Sequence, residues 1–355
     1  MTSGAPGSPA ASRTPVASPT SRAGGPARAA REDVLIDVPG LRALLARSDA
    51  ERTAGGQGVL LLDTTVSLAS PEHDGDYRAA SGAAGWAAAG IPGSRHVDLL
   101  TRFTDPAAHC HFTHPSREGV RRELAELGAT EDTEVVLYDR GPLQWAARLW
   151  WTLRDAGVRA RVLDGGLPAW TRAGQPVRSQ HPDPEAESTP SRSPADAETH
   201  AAAPHSPERP EAFPRAAAGD ATRPSLWADK DQVAAVSEGL APGTLVCALS
   251  AEHFEGTTPT RYSRRGRIPG SVSLPAQPVL GPAGTIRTDP ELAAYADRLP
   301  ARREGPVILY CGGGISASLG ALALTLAGVG ELALYDGSLE EWTADPARRV
   351  LTGAP

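Results

Sequence analysis

Short, continuously apolar runs alternate along this chain with stretches of helical period. In the first half, Val59-Leu60-Leu61-Leu62, Val135-Val136-Leu137-Tyr138 and Arg161-Val162-Leu163 predict strands. Leu41 to Arg47 and Trp145 to Ala156 predict helices. The second half follows suit with strands at Thr244-Leu245-Val246, Val307 to Tyr310 and Leu332-Ala333-Leu334-Tyr335. Between its last two strands, Leu319, Leu322, Ala323 and Leu326 recur at helical spacing, and Gly328 supplies a stop. Strands that are apolar throughout, rather than at every second position, are covered on both faces. The pattern therefore predicts the α/β class twice over, each half a mostly parallel sheet flanked by helices.

Two segments lack any such pattern. Residues 1–31 are rich in Ser, Pro, Ala, Thr and Gly and read as a disordered tail. From Gln175 to Pro224 the chain carries ten prolines and one aromatic residue, Phe213, the composition of an extended linker, here bounded at 179–224. Ordered domains are expected at 32–178 and 225–355.

The two domains repeat each other. Leu137-Tyr138-Asp139 parallels Leu309-Tyr310-Cys311, and Asp164-Gly165-Gly166-Leu167 with Trp170 parallels Asp336-Gly337-Ser338-Leu339 with Trp342. The offset is constant (311 − 139, 336 − 164 and 342 − 170 all equal 172). Ile91-Pro92-Gly93-Ser94 parallels Ile268-Pro269-Gly270-Ser271 at a slightly larger offset. Matches in the same order point to internal duplication.

Composition narrows the function. A net charge of −7 with no basic block argues against nucleic acid as a partner. The apolar runs are too short for a membrane span, and the N-terminus has no export pattern. Three cysteines, Cys110, Cys247 and Cys311, are too few and too widely spaced for a disulfide framework or a zinc site. A working thiol in a reducing cytoplasm fits this usage.

Cys311 is the candidate. A strand leads into it, Gly312, Gly313 and Gly314 follow, and Ile315-Ser316-Ala317 opens a helix. Glycines let successive N–H groups turn toward one point, and the helix start adds its positive dipole end. Such surroundings favour a thiolate. Ser316 offers either one further hydrogen bond or a helix cap. In the first copy, Asp139 replaces the cysteine and is followed by Arg140-Gly141-Pro142-Leu143-Gln144. Pro142 has no N–H, so this loop is not expected to form the same ring of amides.

On these motifs the chain resembles the tandem-domain rhodaneses, the thiosulfate and 3-mercaptopyruvate sulfurtransferases. The resemblance covers both ordered segments. It implies a C-terminal catalytic domain, an N-terminal domain without the cysteine, and a Cys311 persulfide formed from a small anionic sulfur donor and discharged to cyanide or a thiol. The amides from Gly312 to Ala317 would hold the negative charge. No metal or organic cofactor is required. The loop is closer to the mercaptopyruvate-type Cys-Gly-Ser-Gly-Val-Thr than to the basic loops of thiosulfate-preferring members, with Gly313 in place of the serine. The family's substrate-binding arginines fall at His253, in Glu252-His253-Phe254, and at Arg261; Arg264, Arg265 and Arg267 crowd the same stretch and offer replacement charge. Of these, His253, Arg261 and Arg265 are taken as the substrate-binding candidates.

Other residues carry blander readings. Asp98 follows the first Ile-Pro-Gly turn and reads as a turn acid or a cleft residue. His109, Cys110, His111 and His114 look metal-like, but neighbours on one loop do not easily face one ion; the resemblance places a cleft histidine here, at His111. Cys247 reads as packed. A phosphatase would need an arginine six positions after the cysteine, where Ala317 stands, and the glycine run lacks dinucleotide spacing. The alternative to an enzyme is a persulfide carrier or binding module of the same fold, motivated by His253 in an arginine position.

Overall fold

The computed structural model describes residues 1–2, 30–53, 58–177, 224–300 and 304–354. The expected tail and linker lie almost wholly outside the described residues.

The first half contains α1 (Arg31–Val34), β1 (Leu35–Ile36), α2 (Val38–Thr53), β2 (Val59–Asp63), β3 (Val66–Leu68), β4 (Ala79–Ser81), α3 (Ala83–Ala88), β5 (Arg95–His96), α4 (Arg117–Glu126), β6 (Glu134–Tyr138), α5 (Gln144–Asp155), β7 (Ala160–Leu163) and α6 (Gly166–Arg172). The second contains β8 (Trp227–Ala228), α7 (Lys230–Ser237), β9 (Thr244–Cys247), α8 (Ala251–Glu255), β10 (Val272–Ser273), α9 (Asp289–Ala296), β11 (Val307–Tyr310), α10 (Ile315–Leu326), β12 (Leu332–Tyr335) and α11 (Ser338–Ala344). Every strand predicted from the apolar runs is present, and Leu41 to Arg47 lies inside the longer α2.

Each half builds a five-stranded sheet. The orders are β1-β7-β6-β2-β5 and, read from the corresponding edge, β8-β12-β11-β9-β10. All pairings within the two sheets are parallel. The duplication inferred from motifs is thus a duplication of topology. The first half adds an antiparallel ribbon, β3 with β4.

The repeated motifs explain themselves as scaffold. Tyr138 ends β6, and its hydroxyl meets Ser94 Oγ at 2.9 Å and accepts from the Ile91 N–H. Tyr310 does the same for Ser271 and Ile268. A strand-end tyrosine therefore pins each Ile-Pro-Gly-Ser turn beside its sheet.

α5 and α10 occupy the middle of the molecule and pack against each other. Both are buried almost all round, Trp150, Trp151 and Leu153 meeting the same core as Leu319, Leu322 and Leu326. One apolar core therefore runs through both halves, with a smaller cluster on each outer face. Each large side chain buried there contributes roughly 1.5–3 kcal/mol relative to exposure. The one-sided helical spacing expected for α10 understates this, because a helix covered on every side has no polar face.

Reciprocal polar links cross between the halves. Asp336, after β12, accepts from the Arg148 guanidinium of α5 at 2.5 Å and from the backbone N–H of His114 at 2.6 Å. Its counterpart Asp164, after β7, accepts from the Ile286 N–H of the second half at 2.7 Å. Arg148 also donates to the Phe112 carbonyl and lies over the Trp227 ring, which His114 stacks upon.

Candidate active site

Cys311 follows β11 at the carboxyl edge of the sheet, where ligands gather in open α/β folds. Gly314, with φ of +76°, caps α10 in the left-handed region that glycine tolerates. A Cβ on Gly314 would stand 2.7 Å from Arg148 Nη1, so this close approach also requires glycine. Ser338, the first residue of α11, fastens the loop: its Oγ accepts from the N–H groups of Cys311 and Gly314, both at 3.1 Å, and donates to the Tyr335 carbonyl.

The N–H groups of Gly312, Gly313, Ile315, Ser316 and Ala317 have no acceptor among the described residues. The first copy shows what such groups do. Asp139 is fully buried, and its carboxylate accepts from four backbone N–H groups: Gly141 and Leu143 on Oδ1, Trp145 and Ala146 on Oδ2. Trp145 and Ala146 are the second and third residues of α5; Ser316 and Ala317 hold those places in α10. The expectation that the Asp139 loop forms no ring of amides is therefore overturned. Pro142 is simply passed over, and the helix start supplies donors the sequence reading left out. Burial pushes the Asp139 carboxyl up, and its four donors pull against that.

The two loops also differ in length. Tyr138 and Tyr310 are 172 apart, but the helix caps Leu143 and Gly314 are 171 apart (314 − 143), so the first loop is one residue longer. The constant offset conceals this slip, which a turn before β7 and β12 takes back.

Cys311 opens into a cavity of about 510 Å³ lined by both halves. Gly312, Gly313, Ile315 and Ser316 line it; Gly314 and Ala317 do not, being packed behind the loop. Ser316 does not cap α10, since Gly314 holds that position.

His253 and Arg261 line the cavity as expected. Burial and then the neighbouring Arg261 charge hold His253 below the ordinary imidazole value, so it stands neutral near pH 7. Arg261 donates to the Ala69 carbonyl at 2.6 Å, while its Nε is buried without a partner among the described residues. Arg265 is not brought to the site; it pairs with Asp74 of the first half at 2.8 Å. Arg264 and Arg267 are spent on backbone carbonyls.

Arg140, Tyr77, Tyr262 and Glu340 also line the cavity, and the sequence reading missed them. Arg140 was within reach, standing next to Asp139 in the loop that repeats the cysteine loop. Tyr262 adjoins Arg261 and Glu340 falls inside the repeated Asp336 to Trp342 motif, but neither stood out there, and Tyr77 comes from a segment with no local pattern.

The remaining candidates fall outside the cavity lining. Asp98 accepts from the Leu100 N–H, as a turn acid does. Cys247 is fully buried, and burial pushes its thiol up to about 12. His111 and His114 pair with Glu340 and Asp336. No cluster suited to a metal ion occurs among the described residues.

Comparison with known proteins agrees with this architecture. The rhodanese-like domain family matches residues 47–173 and 250–345. The 3-mercaptopyruvate sulfurtransferase of Escherichia coli is 30% identical over 260 residues, covering 72% of this chain and 80% of that protein. The thiosulfate sulfurtransferase of Bos taurus is 30% identical over 258 residues, 71% of this chain and 76% of that one. Among solved structures, the Tum1 protein of Saccharomyces cerevisiae superposes with a TM-score of 0.65 at 22% identity, over 90% of this chain and 98% of that chain. With both matched regions folded into sheets of one strand order, the chain belongs to the rhodanese family.

Proposed function

We propose that this protein is a sulfurtransferase that takes a sulfane sulfur from thiosulfate or 3-mercaptopyruvate onto Cys311 and passes it to cyanide or a thiol. The observation that carries the reading is the pair of loops. One amide cradle is filled by the Asp139 carboxylate; the other has five N–H donors without an acceptor among the described residues, around a cysteine that lines a cavity.

With thiosulfate, the Cys311 thiolate attacks the outer sulfur. The S–S bond breaks, sulfite leaves with the electron pair, and the persulfide remains. Cyanide carbon then attacks that outer sulfur, thiocyanate departs, and the thiolate is restored. Between these steps the thiolate or persulfide charge sits on sulfur beside the loop, where preorganised N–H donors hold it without reorganisation. Arg261 and Arg140 supply positive charge for an anionic donor, and the neutral His253 withholds one. The domain reading follows: residues 225–355 carry the nucleophile, and residues 32–178 supply the opposite wall and no thiol at the equivalent place.

Intact mass spectrometry tests this. Incubation with thiosulfate or 3-mercaptopyruvate adds one sulfur, and cyanide then removes it. Cys311→Ser takes up none. No adduct with either donor overturns the proposal, and an adduct that never discharges favours a persulfide carrier. An adduct surviving in the serine variant assigns the chemistry to another thiol.

A further inference from the structure

Two of the steps that sulfur transfer can require also move a proton. When a thiol R–SH takes the sulfur, it gives up its proton and its sulfur attacks the outer persulfide sulfur. The persulfide S–S bond breaks with its electrons going to Cys311, and the product R–S–SH carries the proton. When 3-mercaptopyruvate donates, a proton passes from its sulfur to the carbon of the departing pyruvate enolate. Thiosulfate loading moves no proton. A side chain within reach of the reacting sulfur is therefore needed for some partners and not for others.

The cysteine loop offers no acid or base of its own. At the position where the resembling loop carries serine, this chain has Gly313, and the space beside it is taken by the Glu340 carboxylate. A Cβ placed on Gly313 would meet Glu340 Oε2 at 3.3 Å. Glu340 lines the cavity with Cys311, and its Oε2 is buried and unpartnered among the described residues. Its other oxygen, Oε1, meets His111 Nδ1 at 2.5 Å and accepts from the His111 backbone N–H. The His111 ring stacks on Tyr77 at 3.8 Å, which fixes its plane, and the side chain is about half exposed.

One carboxylate oxygen thus faces the loop, while the other is joined to an imidazole that reaches water. Glu340 comes from α11 of the second half and His111 from a loop of the first, so the connection forms only when the halves are together. We propose that Glu340 is the proton carrier of this site and that His111 links it to solvent. The proposal rests on the sulfurtransferase reading. In discharge to a thiol, Glu340 takes the S–H proton as the thiol attacks and returns it to the transferred sulfur. In loading from 3-mercaptopyruvate, it takes the thiol proton and delivers it to the enolate carbon. His111 resets the carboxylate from water if the proton is lost.

A carboxylate that merely tied the halves together would affect every step alike, which gives the test. Full-length wild-type and Glu340→Gln proteins are loaded with thiosulfate, then discharged to 2-mercaptoethanol, both steps being followed by rapid-quench intact mass. The expected result is a split: discharge slows on the order of 10²-fold in the variant, and loading does not slow with it. Glu340→Asp recovers part of the discharge rate, and His111→Gln falls between wild type and Glu340→Gln. Equal slowing of both steps, or discharge at the wild-type rate in Glu340→Gln, overturns the relay. Wild-type protein that takes up no sulfur from either donor overturns the function and the relay together.

Discussion

A carboxylate at 139 and a thiol at 311 end equivalent strands, and each sets a different task for the backbone around it. Asp139 brings its own two acceptor oxygens, so four N–H groups close on it. Asparagine there keeps one acceptor oxygen and turns an NH2 group toward two donors. Asp139→Asn should therefore cost roughly 2–3 kcal/mol, read as a lower urea midpoint at unchanged slope; an unchanged midpoint would remove the carboxylate from the account of that loop. Cys311 was legible in the sequence because strand, glycine run and helix start are contiguous. Glu340 was not, because an acid on a short helix looks like any surface acid until the fold sets it against Gly313. Arg265 failed for the converse reason. A cluster of arginines shows available charge, and only the ribbon side of the first half shows that Asp74 claims this one.

At the scale of elements, the α/β class and the parallel sheets followed from apolar runs alone, since a doubly covered strand needs no alternation; the order of the strands came only with the fold. The registration of the helices did not. The one-residue slip between the Asp139 and Cys311 loops leaves the flanking strand motifs at constant offset, so only the caps of α5 and α10 reveal it. The packing of α5 on α10 brings Arg148, buried in the first half, to Asp336 of the second. Removing the cation leaves the buried carboxylate with His114 as its remaining partner. Arg148→Met should cost about 3–5 kcal/mol, and adding Asp336→Asn should recover part of that loss, as a double-mutant cycle by urea unfolding would show. Full additivity of the two would mean that the pair is not coupled.

For the molecule as a whole, several polar links between the halves run through carboxylates held below their ordinary range. Burial works against ionisation of Asp336, but Arg148 and His114 outweigh it. At Asp155, burial is likewise outweighed by Arg117 and by the N–H of Leu226 from the other half. A lowered carboxyl pKa contributes stability that is complete above the ordinary value near 3.8 and is lost as pH falls below it. The contact between halves should accordingly loosen first under acid. The near-ultraviolet circular dichroism of Trp227, which sits against Arg148 and His114, should fade below about pH 4, and Asp336→Asn should blunt that acid transition. A signal at Trp227 that survives to the same pH in wild type and variant would contradict this.

The Ser338 hydroxyl has a consequence for the working cycle. It holds the ends of the cysteine loop through the backbone N–H groups of Cys311 and Gly314. The shape of the loop is therefore fixed from behind, by a hydroxyl of its own chain. An aspartate loop whose acceptor is built into the chain has no need of such a latch, whereas a loop that is repeatedly filled and emptied would otherwise have to be rebuilt at each visit.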